Sequence, residues 1–298
     1  DPAGFVFGDA GDQNIIKCGS YVGNGSDSDP VAVHLGFEPQ FLLIKRTDSS
    51  SNWQIIDSMR GFPVDGNNWS TLRANTANAE TDSYTTGAEP TATGFNLVHS
   101  WTDVNASGGS YIYLAIRRPD GYVQKPQLAT DLFAMDTGNS SSTIPAFDSG
   151  YPVDFALYRK PAATYNWWTQ SRLSGGKILK TNGTDAETDN SSETVWDSNS
   201  GWAKGSGLDS TIQSWMWKRG AGFDVVNTIG GQGKLVPHSL GKIPEMIWLK
   251  GRDFVQDWNV YHKGANSGTN PEQYGFNLNG NYAESQQQAY WNNVAPTA

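Results

Sequence analysis

A single cysteine, Cys18, in 298 residues excludes a disulfide within the chain and any zinc site of the multi-cysteine type. Stability has to come from packing. No apolar run approaches the roughly 18 residues of a membrane-spanning helix, and Asp1-Pro-Ala-Gly4 has neither the basic start nor the apolar stretch of a signal peptide, so no membrane insertion is expected. Charged residues are 17% of the chain, below the ~25% of an average domain. With a net charge of −9, an anionic partner would need a local basic patch working against the global field. The basic pairs Lys45-Arg46, Arg117-Arg118, Arg159-Lys160 and Lys218-Arg219 are isolated at the ends of apolar runs and read as strand ends reaching solvent, so no nucleic-acid binding is expected. Gly-x-Ser-x-Gly, a phosphate loop ending in Lys-Ser/Thr and the acidic calcium loop are all missing. The Gly-rich stretch Thr228 to Gly233 lacks a strand-to-helix setting and reads as a hairpin turn like Tyr21 to Gly25.

What is present is a repeat. Leu72-Arg-Ala-Asn75-Thr-Ala-Asn-Ala-Glu80, Leu179-Lys-Thr-Asn182-Gly-Thr-Asp-Ala-Glu187 and Phe276-Asn-Leu-Asn279-Gly-Asn-Tyr-Ala-Glu284 keep one spacing in three places. Upstream, Pro39 to Lys45 and Pro244 to Lys250 match, and Trp53 and Trp258 each follow eight residues later. Pro152 to Arg159, with Trp167 eight residues beyond, is the looser middle copy.

The chain has twelve each of Trp, Tyr and Phe, together with loops rich in Gly, Ser, Thr and Asn, the composition of a turn-rich β protein. Short β-branched or aromatic runs recur, among them Phe41-Leu-Leu-Ile44, Tyr111-Ile-Tyr-Leu-Ala-Ile116, Ser214-Trp-Met-Trp217 and Met246-Ile-Trp-Leu249. The Tyr111 to Ile116 run is apolar on both faces, which predicts a strand between two layers. We therefore expect an all-β chain of tandem β-sandwich modules over residues 14–119, 130–220 and 221–298. The third is expected to be incomplete: Ala295-Pro-Thr-Ala298 corresponds to Glu89-Pro-Thr-Ala92, before the segments matching Gly94 to Val98 and Tyr111 to Arg117.

The triplicated pairs Asn75/Glu80, Asn182/Glu187 and Asn279/Glu284 form the one candidate polar site, read either as oxygen ligands or sugar contacts, or as turns whose backbone N–H groups these side chains satisfy. A feature kept in every copy favours the fold role, because an active site needs to exist once. Trp167, Trp168 and Trp202 are candidate glycan-stacking residues, while Trp215 and Trp217 share one strand face that reads as core. His34, His99, His238 and His262 are scattered, and carboxylate pairs such as Asp57 with Glu80 or Glu187 with Asp189 carry no geometry in sequence alone. No catalytic residue, metal or cofactor is assigned.

The wording of Ile15-Ile-Lys-Cys-Gly-Ser-Tyr-Val-Gly-Asn-Gly-Ser26, Leu35-Gly-Phe-Glu-Pro-Gln-Phe-Leu-Leu-Ile-Lys-Arg46, Tyr111 to Arg118, Ala156-Leu-Tyr-Arg-Lys-Pro161 and Trp215-Met-Trp-Lys218 resembles repeat modules of virion structural proteins of tailed, especially marine, bacteriophages. That resemblance covers most of the chain and implies concanavalin-like, laminin-G-like jelly-roll modules used in tail fibres, appendages or capsid decoration. It implies a location on the particle surface. The implied partners are other virion proteins, copies of the chain itself and a host surface glycan, and the resemblance carries no catalytic residues. The alternatives are a carbohydrate-binding module or depolymerase, and a cellular surface adhesin.

Overall fold

The computed structural model describes residues 15–64, 69–83, 87–118, 128–231 and 233–298, and among these the chain is nearly all β. Module one contains β1 (Ile16–Val22), β2 (Val31–His34), β3 (Pro39–Arg46), β4 (Gln54–Asp57), β5 (Trp69–Arg73), β6 (Thr81–Ser83), β7 (Ala88–Thr91), β8 (Gly94–Leu97) and β9 (Ser110–Arg117). They form an antiparallel sheet in the order β1-β9-β3-β4-β5-β6 and a smaller one in the order β2-β8-β7. Leu42, Ile44, Ile56, Tyr111 and Ala115 from the first meet Val33, Ala88, Phe95 and Leu97 from the second in one core, which makes a two-layer sandwich.

Module two repeats this plan with β10 (Phe133–Thr137), β11 (Phe147–Asp148), β12 (Phe155–Arg159), β13 (Trp168–Ser171), β14 (Lys177–Lys180), β15 (Thr188–Asp189), β16 (Gly201–Trp202) and β17 (Gln213–Trp217). The large sheet runs β10-β17-β12-β13-β14-β15, strand for strand the order of module one, and β11-β16 lies in the place of β2-β8. Its core joins Ala156, Tyr158, Ile178 and Met216 to Phe147 and Trp202. Gly94 and Gly201 open equivalent strands at points where a Cβ would collide with the carbonyl oxygens of Val33 and Phe147, so each crossing accepts only glycine.

Module three contains β18 (Met246–Leu249), β19 (Asn259–His262), β20 (Tyr274–Asn277) and β21 (Ser285–Gln286), in the order β18-β19-β20-β21. These correspond to β3 through β6. The stretch around Thr228 to Gly233 is not a hairpin turn, because no strand flanks it among the described residues. The expected two-layer position of Tyr111 to Ile116 is also corrected. Alternation along β9 turns Tyr111, Tyr113, Ala115 and Arg117 inward, but among the described residues no second layer covers the outer side, where Ile112 is 42% exposed.

Candidate functional site

The repeated asparagines do one job in all three modules. Each follows the strand after the Trp-bearing hairpin, and its Oδ1 accepts the backbone N–H of that Trp: Asn75 from Trp53 at 2.9 Å, Asn182 from Trp167 at 2.9 Å, Asn279 from Trp258 at 2.8 Å. Each Nδ2 then donates across the same hairpin, to the side-chain oxygens of Asn52, Asn166 and Asp257. One amide thus satisfies a backbone donor and ties the two strands together, which explains the fixed spacing without a ligand.

The glutamates diverge. Glu80 lies 3.4 Å from the Arg60 guanidinium of its own module, and Glu284 accepts the backbone N–H of Asn266 at 2.7 Å. Glu187 instead reaches into module three, where Arg252 holds it with two bonds of 2.8 and 3.1 Å. Arg252 also donates to the Val64 carbonyl of module one at 3.1 Å, so it touches all three modules. The repeated pairs are therefore not three copies of one open binding site. Among the described residues, no group of three or more His, Cys, Asp or Glu is gathered to hold a metal ion.

The strongest electrostatic feature is a junction between modules that the sequence did not announce. Arg118 and Arg219, expected at solvent-facing strand ends, are 6% and 5% exposed, and Arg117 is 6% exposed. They are buried because the ends of β9 and β17 meet where the modules pack, so their charge has to be paired inside the molecule. Arg219 donates to both carboxylate oxygens of Glu38, at 2.5 and 2.6 Å, and to Asp224 at 2.7 Å. Arg118 bonds to Ser239 and lies 3.3 Å from Glu38 and 3.6 Å from Asp224. Nearby, Arg172 donates to the carbonyls of Val153, Ser58 and Trp196 and sits 3.4 Å from Asp154, while burial lowers its pKa. Burial pushes the Asp224 carboxyl up, but Arg219 and Arg118 more than reverse this and hold it at about 2. Two cavities at this junction measure about 10 and 20 Å³, room for a water or so and not for a substrate.

A family model described as a domain of unknown function, DUF7483, matches residues 10–118 and 134–298. The chain belongs to that family. No curated protein and no solved structure matches it.

The tryptophans of this DUF7483 chain separate into core and surface in a way that revises the stacking candidates. Trp202 is 1% exposed, stacked on Trp196 and Phe147, because it occupies in β16 the inward position that Phe95 holds in β8. Trp168 also faces inward and packs against the core. Neither is a platform. Trp167 alone lies on the outer side, 5.1 Å from Trp215 between ring centroids and with the Arg159 guanidinium 4.9 Å over its ring. Trp215 and Trp217, expected on a core face, also point outward, since Ser214 and Met216 take the buried positions of β17.

These residues belong to a larger outer surface. On module two it comprises Phe133, Met135, Phe155, Leu157, Trp215 and Trp217, with Trp217 4.9 Å from Phe133 and 5.7 Å from Phe155. On module one the same side of the equivalent strands presents Ile16, Val22, Phe41, Leu43, Ile112 and Leu114. Ile16 is 60%, Val22 62% and Met135 57% exposed, so among the described residues each large sheet leaves apolar side chains open on its outer side, although Phe223 stacks on Trp217 and lies 5.5 Å from Phe155. No helix among the described residues is long and apolar enough to cross a membrane.

Proposed function

We propose that the chain is a non-enzymatic structural protein on the surface of a tailed-bacteriophage particle, a fibre, appendage or capsid-decoration component that works through assembly contacts with other virion proteins and copies of itself. The virion comes from the resemblance of the repeat wording. The observation that carries the assembly role is the apolar outer face on both large sheets, where Ile16, Val22, Ile112 and Met135 are 42 to 62% exposed. Exposed apolar side chains grouped on a sheet face suit a site of association. The buried junction of Arg118, Arg219, Glu38 and Asp224 supports the same reading, since modules fastened to one another suit a part that transmits position rather than one that opens around a substrate. Attachment to a host surface glycan is the secondary role, favoured by the outward ledge of Trp167, Trp215 and Arg159.

The test combines light-scattering mass in solution, reconstruction of particles carrying the chain, and an assay for reducing ends released from bacterial surface polysaccharide. The expected outcome is a multi-chain assembly without turnover. Ile112→Lys and Met135→Lys should dissociate it while leaving the melting temperature in place. A stable monomer that cleaves polysaccharide, with activity lost on changing one carboxylate pair, would replace this reading with a depolymerase.

A further inference from the structure

The repeated asparagine has one geometry in the three modules but three different chemical settings. Asn-Gly, the dipeptide in which a side-chain amide is most easily lost because no Cβ hinders ring closure, occurs at Asn24, Asn182 and Asn279. Two of these are the repeated position, whereas Thr76 follows Asn75 in module one. The group that accepts from the asparagine Nδ2 changes as well. It is the neutral amide of Asn52 in module one and of Asn166 in module two, but in module three it is the carboxylate of Asp257, at 2.8 Å. Of the three repeats, module three alone combines the glycine with an acidic partner.

That setting also joins two modules. Asn279 Oδ1 accepts the backbone N–H of Trp258, and the indole Nε1 of the same Trp donates to the Lys180 carbonyl of module two at 2.7 Å. The loop leading to Trp258 continues the contact, since the Gln256 N–H donates to the Thr184 carbonyl and Arg252 holds Glu187. While the hairpin of β19 and β20 is closed, Asn279 is protected. Both polar atoms of its amide are bonded, and the Gly280 N–H, whose nitrogen is the nucleophile in amide loss, donates to the Asn277 carbonyl at 3.1 Å.

We propose that Asn279 is a self-modification site: it loses its amide when the β19–β20 hairpin opens, and the acid left behind loosens module three from module two in one direction only. In the opened hairpin the deprotonated Gly280 nitrogen attacks Asn279 Cγ. A C–N bond forms to give a succinimide ring, the Cγ–Nδ2 bond breaks and ammonia leaves; water then opens the ring to aspartate or isoaspartate. The net change is one water in and one ammonia out, with no oxidant or reductant. On reclosure a carboxylate oxygen takes the place of Nδ2, so a 2.8 Å hydrogen bond to Asp257 becomes a contact between like charges. The clamp on Trp258 weakens with it. Module two has no such ratchet, because Asn166 can turn its amide and donate to an aspartate at position 182.

The experiment ages the full 298-residue chain in warm, mildly alkaline buffer, folded and in urea, and maps amide-to-acid conversion by mass spectrometry of its peptides. In urea Asn24, Asn182 and Asn279 should convert together and Asn75 should lag behind. In the folded chain Asn279 should convert about tenfold more slowly or less, at a rate set by hairpin opening. Asn279→Asp supplies the product directly and should speed amide hydrogen exchange at Trp258 and Val260 by about tenfold or more, with module one unchanged. Asn182→Asp should leave exchange in its own hairpin near that of the parent. Adding Asp257→Asn to Asn279→Asp should restore slow exchange, since an amide at 257 can donate to the new carboxylate, and this rescue separates the charge contact from general misfolding. Equal exchange in Asn279→Asp and the parent, or no recovery on adding Asp257→Asn, would overturn the proposal. So would a folded chain whose Asn279 keeps its amide although exchange shows the hairpin opening.

Discussion

Replacing Arg219 with Met tests whether the junction holds the modules together. The guanidinium is buried, donates twice to Glu38 of module one and once to Asp224 at the start of module three, and follows directly on β17 of module two. Met keeps most of the side-chain volume and removes the charge. Two buried carboxylates are then left with one guanidinium, Arg118, to serve both. Removing one partner from a buried ionic network destabilises by about 3–5 kcal/mol, mainly because the remaining charges stay desolvated. Urea unfolding with tryptophan fluorescence should show a loss of that size, and calorimetry should show the melting transition splitting as the modules lose their common contact. Adding Glu38→Gln removes one of the stranded charges and should recover part of the loss. If Arg219→Met lies within about 0.5 kcal/mol of the parent, the range of an ordinary surface substitution, the junction is not what fastens the modules.

Asn279→Ala should cost about 1–3 kcal/mol in urea unfolding, because it strips the acceptor from the N–H of Trp258, a residue 5% exposed. Asn75→Ala should cost less, since Trp53 is only half-buried and water can reach its N–H. Trp258→Ala should lower stability by about 3–5 kcal/mol, and Trp53→Ala by clearly less, a contrast that equal melting curves would refute. Asp224 sits below its ordinary value of 3.8, at about 2, so its stabilisation is complete above about pH 4 and is lost as pH falls from there through 2. That contribution is on the order of 2 kcal/mol; Asp224→Asn should flatten the acid limb of stability between pH 4 and 2, and parallel acid limbs for parent and variant would sink the assignment.

Much of the fold was legible because it rests on local pattern. The Asn spacing never varies, since one side chain must reach a fixed N–H across a fixed hairpin, and that constraint is written three times as Asn75, Asn182 and Asn279. The strands around Phe41, Tyr111, Trp215 and Met246 were readable from β-branched and aromatic runs. Trp202 was misread as a surface residue although the repeat held the answer: Gly201-Trp202 stands where Gly94-Phe95 does, and Phe95 is 1% exposed. The outer faces were misread for a different reason. Alternation shows that Tyr111 and Ile112 point opposite ways, but apolar residues on both sides look alike whether the second side is covered by the same chain or left for a partner.

The junction was invisible for a stronger reason. Arg219 and Glu38 are 181 residues apart in sequence, and no spacing links them. Yet Arg118 and Arg219 occupy one repeat position: Phe41 pairs with Ile116 and Phe155 with Trp217, and each arginine comes two residues after that partner. The same repeat feature is thus used twice, with both arginines turned towards Glu38 and Asp224. Two buried guanidiniums at that position are tolerable only because the packing of the modules brings Glu38 of module one and Asp224 of module three to it together.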